Sequence, residues 1–245
     1  MSTHQKQDAI SFTGAEVVDF ALAELPPFFT LLPAGTEARF VPVNTDANWG
    51  CGALKRTLDL IVAVPALLLL APLFAAIALL IRLDSRGPAL FRQKRNGICG
   101  RPFGILKFRT MNVLEDGETI VQARESDPRV TRVGRWLRRY SLDELPQLIN
   151  VIAGDMSLVG PRPPAQAHDS HYGAMIRQYR HRQAVKPGMT GWAQVNGHRG
   201  PTPTVELMAR RIDLDLWYAR HASLALDVEI LLRTPLEVFR HRNAC

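Results

Sequence analysis

Between Leu60 and Ile81 the chain carries 22 consecutive residues without a charge, LIVAVPALLLLAPLFAAIALLI. About 20 apolar residues cross the hydrocarbon core as a helix, so the run predicts a membrane-embedded helix over residues 51–83. A buried core helix of that length and uniformity would be unusual. Pro65 is expected to break it, since an interior proline removes a helix bond and clashes with the preceding turn, at about 3 kcal/mol; Pro72 can bend the second arm. Lys55 and Arg56 precede the run, and Arg82, Arg86, Arg92, Lys94 and Arg95 follow it. Basic residues stay on the cytoplasmic side, so charge at both ends fits a re-entrant hairpin hinged at Pro65 slightly better than a crossing. Kinked spanning helices also exist, and the pattern alone admits both. Asp59, at the edge of the apolar run, needs a partner there, and Arg56 lies one turn away.

After the apolar run the period changes. In PALFRQKRNGICGRPFGILKFRTM the Asn96-Gly97 pair reads as a hairpin turn and FGILKF as the returning strand. Lys107 and Arg109, two residues apart, then share a face, either to hold phosphate or simply to solvate an edge. Further on, RRYSLDELPQLIN (138–150) reads as a helix start. Ser141 and Glu144 match a capping box, but Asp143 as N-cap suits Pro146 better, placing it where no N–H is needed. The helix then runs about ten residues and stops at Gly154. The fold class expected is α/β, mostly α with a small β-hairpin. Residues 1–50 form an N-terminal extension expected to be partly disordered, 51–83 the membrane helix and 84–245 a basic cytoplasmic domain.

A net charge of +7 and a pI near 9.8 call for an acidic partner. From Arg82 to Arg139 there are 14 Lys/Arg against 6 Asp/Glu, and each basic side chain near an anionic bilayer adds about 1 kcal/mol of attraction. Nucleic acid is the rival partner, but aromatics make up only 7% and no recognition-helix or RNA-stacking motif occurs. Cys51, Cys99 and Cys245 are far apart in sequence and show neither a disulfide framework nor metal-ligand spacing. The opening MSTHQKQDAI does not read as a secretory signal, and no G-x-G-x-x-G is present.

Asp143 and Glu144 hold the candidate chemistry. Neighbouring carboxylates in a helix's first turn repel, and one pKa should rise unless cations such as Arg135, Arg138 and Arg139 compensate. An ionised pair offers one oxygen as nucleophile to phosphorus and another as ligand to a hard cation such as Mg²⁺. On the dipeptide alone, a plain helix cap is the stronger reading. Context shifts the balance: GDMSLVGPRP sets Arg162 in a rigid Pro-Arg-Pro turn suited to phosphate oxygens. VKPGMTGWAQVNGHRG (185–200) is a glycine-rich loop that allows close backbone approach to a ligand.

Taken together, KRTLDL, FRQKRNG, LKFRTM, DPRVTRVGRWLRRYSLDELPQLINVIAGDMSLVGPRP, VKPGMTGWAQVNG and DLWYARHASLALDVEILLRT resemble the bacterial sugar transferases, the monotopic polyprenyl-phosphate sugar-1-phosphate transferases. The resemblance covers about Cys51 to Phe239. It implies a re-entrant helix hinged near Pro65, anchored by Lys55, Arg56 and Asp59, with amphipathic helices on the cytoplasmic face of the bacterial inner membrane. It also implies transfer of a sugar-1-phosphate from a UDP-sugar to undecaprenyl phosphate. By position Asp143 matches the nucleophile of a covalent phosphosugar intermediate and Glu144 the Mg²⁺-binding partner. Arg138 and Arg162 match phosphate-contacting arginines, and Lys107 and Arg109 are assigned to the same pocket. Gln194, Asn196 and Arg199 are candidates for sugar or nucleotide contacts, with turn formation as the competing role. Two departures stand out: larger relatives carry spanning helices and a further domain upstream, and Val64 replaces the serine often found before the hinge proline.

The last two motifs resemble exopolysaccharide-initiating members that move glucose-1-phosphate or galactose-1-phosphate, and glucose from UDP-glucose is the sugar expected. The alternative is a non-catalytic membrane adaptor whose basic face binds anionic lipid. The sequence leaves oligomeric state open, a homo-oligomer included.

Overall fold

The computed structural model describes residues 49–112, 127–202 and 204–239; the expectation for the N-terminal extension therefore falls almost entirely outside the described residues. Its longest element is α1, Ala53–Asp84, among the described residues the one helix long and apolar enough to cross a membrane. The break expected at Pro65 does not interrupt it: α1 runs as one helix through Pro65 and Pro72. At 1.5 Å per residue, 32 residues correspond to about 48 Å if straight. Its middle presents Ile61, Val62, Val64, Leu68, Leu69, Leu73, Leu79 and Leu80 outward, whereas Lys55, Asp59 and Ala63 near one end and Ile77 and Ile81 near the other are buried. Both ends are thus held by the same folded body.

Strands β1 (Leu90–Asn96) and β2 (Pro102–Phe108) pair antiparallel, with Leu90 opposite Phe108 and Asn96 opposite Pro102. The turn differs from the two-residue Asn-Gly form. Gly97 has φ −99°, and the left-handed residues that such a connection needs are Cys99 (φ 52°) and Gly100 (φ 73°), in a 3₁₀ turn closed by Gly97 N–H to Arg101 O at 2.8 Å. Helix α2 (Arg132–Arg139) follows; Thr131 Oγ1 accepts from Gly134 N (2.9 Å), and Asp84 at the end of α1 accepts from Val133 N (3.1 Å), satisfying first-turn donors. Helix α3 (Gln147–Ala153) stops at Gly154, left-handed with φ 94°, at the position expected.

Asn150 of α3 docks this helix on the hairpin: its Oδ1 accepts from Leu106 N (2.9 Å) and its Nδ2 donates to Gly104 O (2.8 Å), completing two backbone groups of β2. Strand β3 (Ser157–Val159) pairs parallel with β4 (Gly188–Thr190). Gly160 lies so close to Lys186 O and Gly188 N that no Cβ would fit, which brings the following Pro-Arg-Pro turn hard against β4. Helices α4 (Gln166–Met175), α5 (Trp192–Val195), α6 (Val205–His221) and α7 (Leu224–Phe239) complete the body. One core joins Ala63 of α1 to Val151, Val159, Tyr218 and Ile230; another packs Ile77 and Ile81 against Phe108 and Leu137.

Partners at the start of α1 are not those expected. Lys55 is buried on Asp227 of α7 (2.5 Å). Arg56 turns away from Asp59 and donates to Val151 O (2.5 Å) and Ile152 O (2.6 Å), closing the C-terminal carbonyls of α3. Asp59 instead accepts from Ser157 Oγ and Leu158 N, both at 2.9 Å. A carboxylate buried at this junction is better matched by fixed dipoles of β3 than by a long guanidinium that has two free carbonyls within reach.

Candidate active site

Just past α2 the chain reverses at Ser141, whose φ of 56° is left-handed. Residues Leu142–Glu144 form one 3₁₀ turn, and Pro146 stands at the N-cap of α3, where its missing N–H leaves no ladder bond unmade. Neither capping scheme is realised: Ser141 makes no cap bond, and its Oγ accepts from Arg199. Glu144 does not reach back to the helix start, because stronger donors hold it.

Arg162 binds Glu144 with both terminal nitrogens, Nη1 to Oε2 at 2.7 Å and Nη2 to Oε1, and Lys107 Nζ donates to Oε1 at 2.9 Å. Burial would raise the Glu144 carboxyl, but the Arg162 and Lys107 charges and hydrogen bonds outweigh it and hold it well below the usual carboxylate range. Burial pushes Lys107 down, with Glu144 opposing. Asp143 is half-buried, and among the described residues its carboxylate accepts no hydrogen bond. Burial and then the Glu144 charge push it up to about 6 against the pull of Lys107, Arg138 and Arg162. Two adjacent acids are thereby driven to opposite states, one locked as an ion and one left with basic, unengaged oxygens.

Among the described residues no group of three or more His, Cys, Asp or Glu could hold a metal. Mg²⁺, however, is commonly held by one or two carboxylates together with substrate phosphates and water. The doublet fits that role: a carboxylate has about four acceptor sites, so Glu144 Oε2 keeps one after its arginine bond, and the Asp143 oxygens accept none.

The other expected residues divide. Lys107 and Arg162 converge on Glu144, Arg138 in the last turn of α2 acts on Asp143, and Arg199 reaches Ser141. Arg109 does not join them: it donates to the carbonyls of Arg86, Ser85 (2.7 Å) and Gly87, closing the C-terminal end of α1. β2 ends at Phe108, so the strand alternation that would set Arg109 beside Lys107 no longer applies. Arg135 and Arg139 are exposed, Arg139 with its guanidinium 5.9 Å from the centroid of the Tyr140 ring. Gln194 donates to Met189 O (3.2 Å) in its own loop, and Asn196 donates to Trp192 O (2.8 Å) and accepts from Arg233 of α7 (3.1 Å). Unforeseen residues are Asn150, Arg182, Asp215 and Arg95, all engaged in long-range bonds that leave no local sequence signal.

Comparison with known proteins places the chain among relatives. The family model described as bacterial sugar transferase matches residues 51–241. A UDP-glucose:undecaprenyl-phosphate glucose-1-phosphate transferase of Caulobacter vibrioides is 55% identical over 190 residues, 78% of this chain and 71% of that protein. One of the same name from Escherichia coli K12 is 49% identical over 191 residues, 78% of this chain and 41% of that protein. A UDP-N-acetylgalactosamine-undecaprenyl-phosphate N-acetylgalactosaminephosphotransferase of Aeromonas hydrophila is 41% identical over 182 residues, 74% of this chain and 42% of that protein. The matched region thus spans about two fifths of the last two relatives.

Proposed function

The chain belongs to the bacterial sugar transferase family, and from that premise we propose that it transfers glucose-1-phosphate from UDP-glucose to undecaprenyl phosphate through a phosphosugar on Asp143. The observation that carries this reading is the split doublet: Arg162 and Lys107 occupy Glu144 while Asp143 keeps its oxygens. An Asp143 oxygen attacks the phosphorus that bears the sugar; the bond to the bridging oxygen breaks and UMP leaves with the electron pair. An oxygen of undecaprenyl phosphate then attacks the same phosphorus and the Asp143 carboxylate departs. Lys107, Arg138 and Arg162 lower the cost of charge on the phosphoryl oxygens. A Mg²⁺ held by Glu144 would add Lewis-acid neutralisation of the diphosphate.

Glucose is preferred because the Caulobacter and Escherichia relatives bear that name, although the Aeromonas relative moves N-acetylgalactosamine phosphate. The α1 helix is read as re-entrant on the cytoplasmic face of the inner membrane. A straight crossing would put Lys55 and Asp59 a bilayer away from Ile77 and Ile81, whereas both ends pack in one body, and Phe74 meets Phe108 of β2 edge to face at 5.3 Å. Labelling of Ala53→Cys and Arg86→Cys, in a background without native cysteines, should find both from the cytoplasmic side; opposite sides would mean a crossing. The function is tested by UMP release from a panel of UDP-sugars, with UDP-glucose fastest, and by radiolabel from the sugar retained on protein when acceptor lipid is withheld. No retained label would favour direct transfer.

A further inference from the structure

Behind the site, the Pro161-Arg162-Pro163 turn has few N–H groups with which to fix itself, and its carbonyls are taken by donors from elsewhere. Gly188 N bonds Pro161 O at 3.0 Å, Arg182 Nη2 bonds Arg162 O at 2.6 Å, and Arg95 Nη1 bonds Pro163 O at 3.0 Å. Arg182 is itself paired with Asp215 of α6 at 2.6 Å, with side chains only 4% and 3% exposed. Its guanidinium stands 5.5 Å from the centroid of the Tyr179 ring, and Tyr179 OH donates to Asp169 at 2.6 Å.

Stability alone is a poor reason for such an arrangement. A buried ion pair can often be replaced by apolar packing without loss, and here Arg182 Nη1 is buried with no hydrogen-bond partner. What the arrangement supplies is a fixed point: Arg162 O is held by Arg182 while the Arg162 guanidinium holds Glu144. A flexible arginine stem moored at its own carbonyl has fewer ways to swing its fork off the carboxylate.

Resting on the function proposed above, we infer that the Arg182–Asp215 pair is a positioning pair for the transfer: it holds the backbone of Arg162 so that the Arg162 guanidinium stays on Glu144 and leaves Asp143 unengaged. Neither residue touches substrate. Asp215 acts through Arg182, and Arg182 through Arg162.

The test is a double-mutant cycle in full-length protein reconstituted in nanodiscs, with UMP release from UDP-glucose as readout. A misplacement of about 1 Å can cost roughly a hundredfold in rate; Asp215→Asn should accordingly lower kcat about tenfold or more with little change in KM. In an Arg162→Lys background it should lower kcat no further. Asp227→Asn, which breaks an equally buried pair elsewhere, should multiply with Arg162→Lys. Where Asp215→Asn does not fold, Asp215→Glu and Arg182→Lys take its place in the same cycle. Unchanged kcat, or losses that multiply, would overturn the inference and leave a plain structural clamp. If the wild type releases no UMP, the functional reading fails instead. The pair is then judged by hydrogen exchange over residues 157–165, which should quicken in Asp215→Asn; unchanged exchange overturns the inference.

Discussion

At the N-terminal end of α1, Asp227 accepts from Lys55 Nζ (2.5 Å), Trp49 Nε1 (2.8 Å) and Tyr218 OH (2.7 Å), and neighbouring Asp59 accepts from Ser157 and Leu158. At the other cluster Glu144 is held by Arg162 and Lys107, but Asp143 beside it accepts nothing among the described residues. Both clusters are acids among cations, and they differ in one unmade set of bonds. Where a carboxylate is held by donors from several elements, it fastens those elements together. Where one carboxylate is left open beside a held one, the open group is costly to keep, which is the arrangement that the proposed transfer requires.

That contrast can be broken by substitution. Asp143→Asn should have the largest effect, a loss of UMP release of about ten-thousand-fold, with the protein still folded; retained UMP release would mean that Asp143 is not the nucleophile and would favour direct transfer. Asp227→Asn should do the reverse. Leaving Lys55 buried without its counter-charge should cost about 3–5 kcal/mol of stability, read by thermal unfolding, while the fraction that folds still takes label from the sugar donor. Arg162→Lys keeps the charge but loses the fork, and should lower kcat/KM about a hundredfold.

Two smaller effects follow from the Asp143 pKa near 6. Label transfer to the protein should fall as pH drops through about 6, because the protonated acid is no nucleophile. A carboxyl whose folded pKa lies above its unfolded one favours folding below the unfolded value, and that contribution is lost as pH rises through the folded value. Asp143→Asn should therefore raise Tm modestly at pH 7.5 and leave it unchanged near pH 4. A Tm that falls at neutral pH would mean that Asp143 has a structural partner after all.

Much of the local organisation was legible. The uncharged run gave α1, the Asn96-Gly97 pair gave the hairpin but not the form of its turn, and Gly154 ended α3 where expected. Arg162 was singled out because prolines on both sides announce a rigid turn. The errors share a cause. Arg109, Arg56 and the capping box were assigned partners from sequence proximity, yet each donor or acceptor found a better-placed group across the fold. Nothing near Asp215 in the sequence points to Arg182, and Lys55 meets Asp227 from the far end of the chain.

The sequence by itself determined α1, the hairpin and the end of α3, that one segment is long and apolar enough to cross a membrane, and that two acids lie side by side among arginines; these follow from bonds and periodicities a few residues long. Only the tertiary structure decided which acid is held and which is left open. With 30 Lys and Arg for 23 Asp and Glu, many pairings are electrostatically similar at long range, and only packing brings particular donors within 3 Å of particular oxygens.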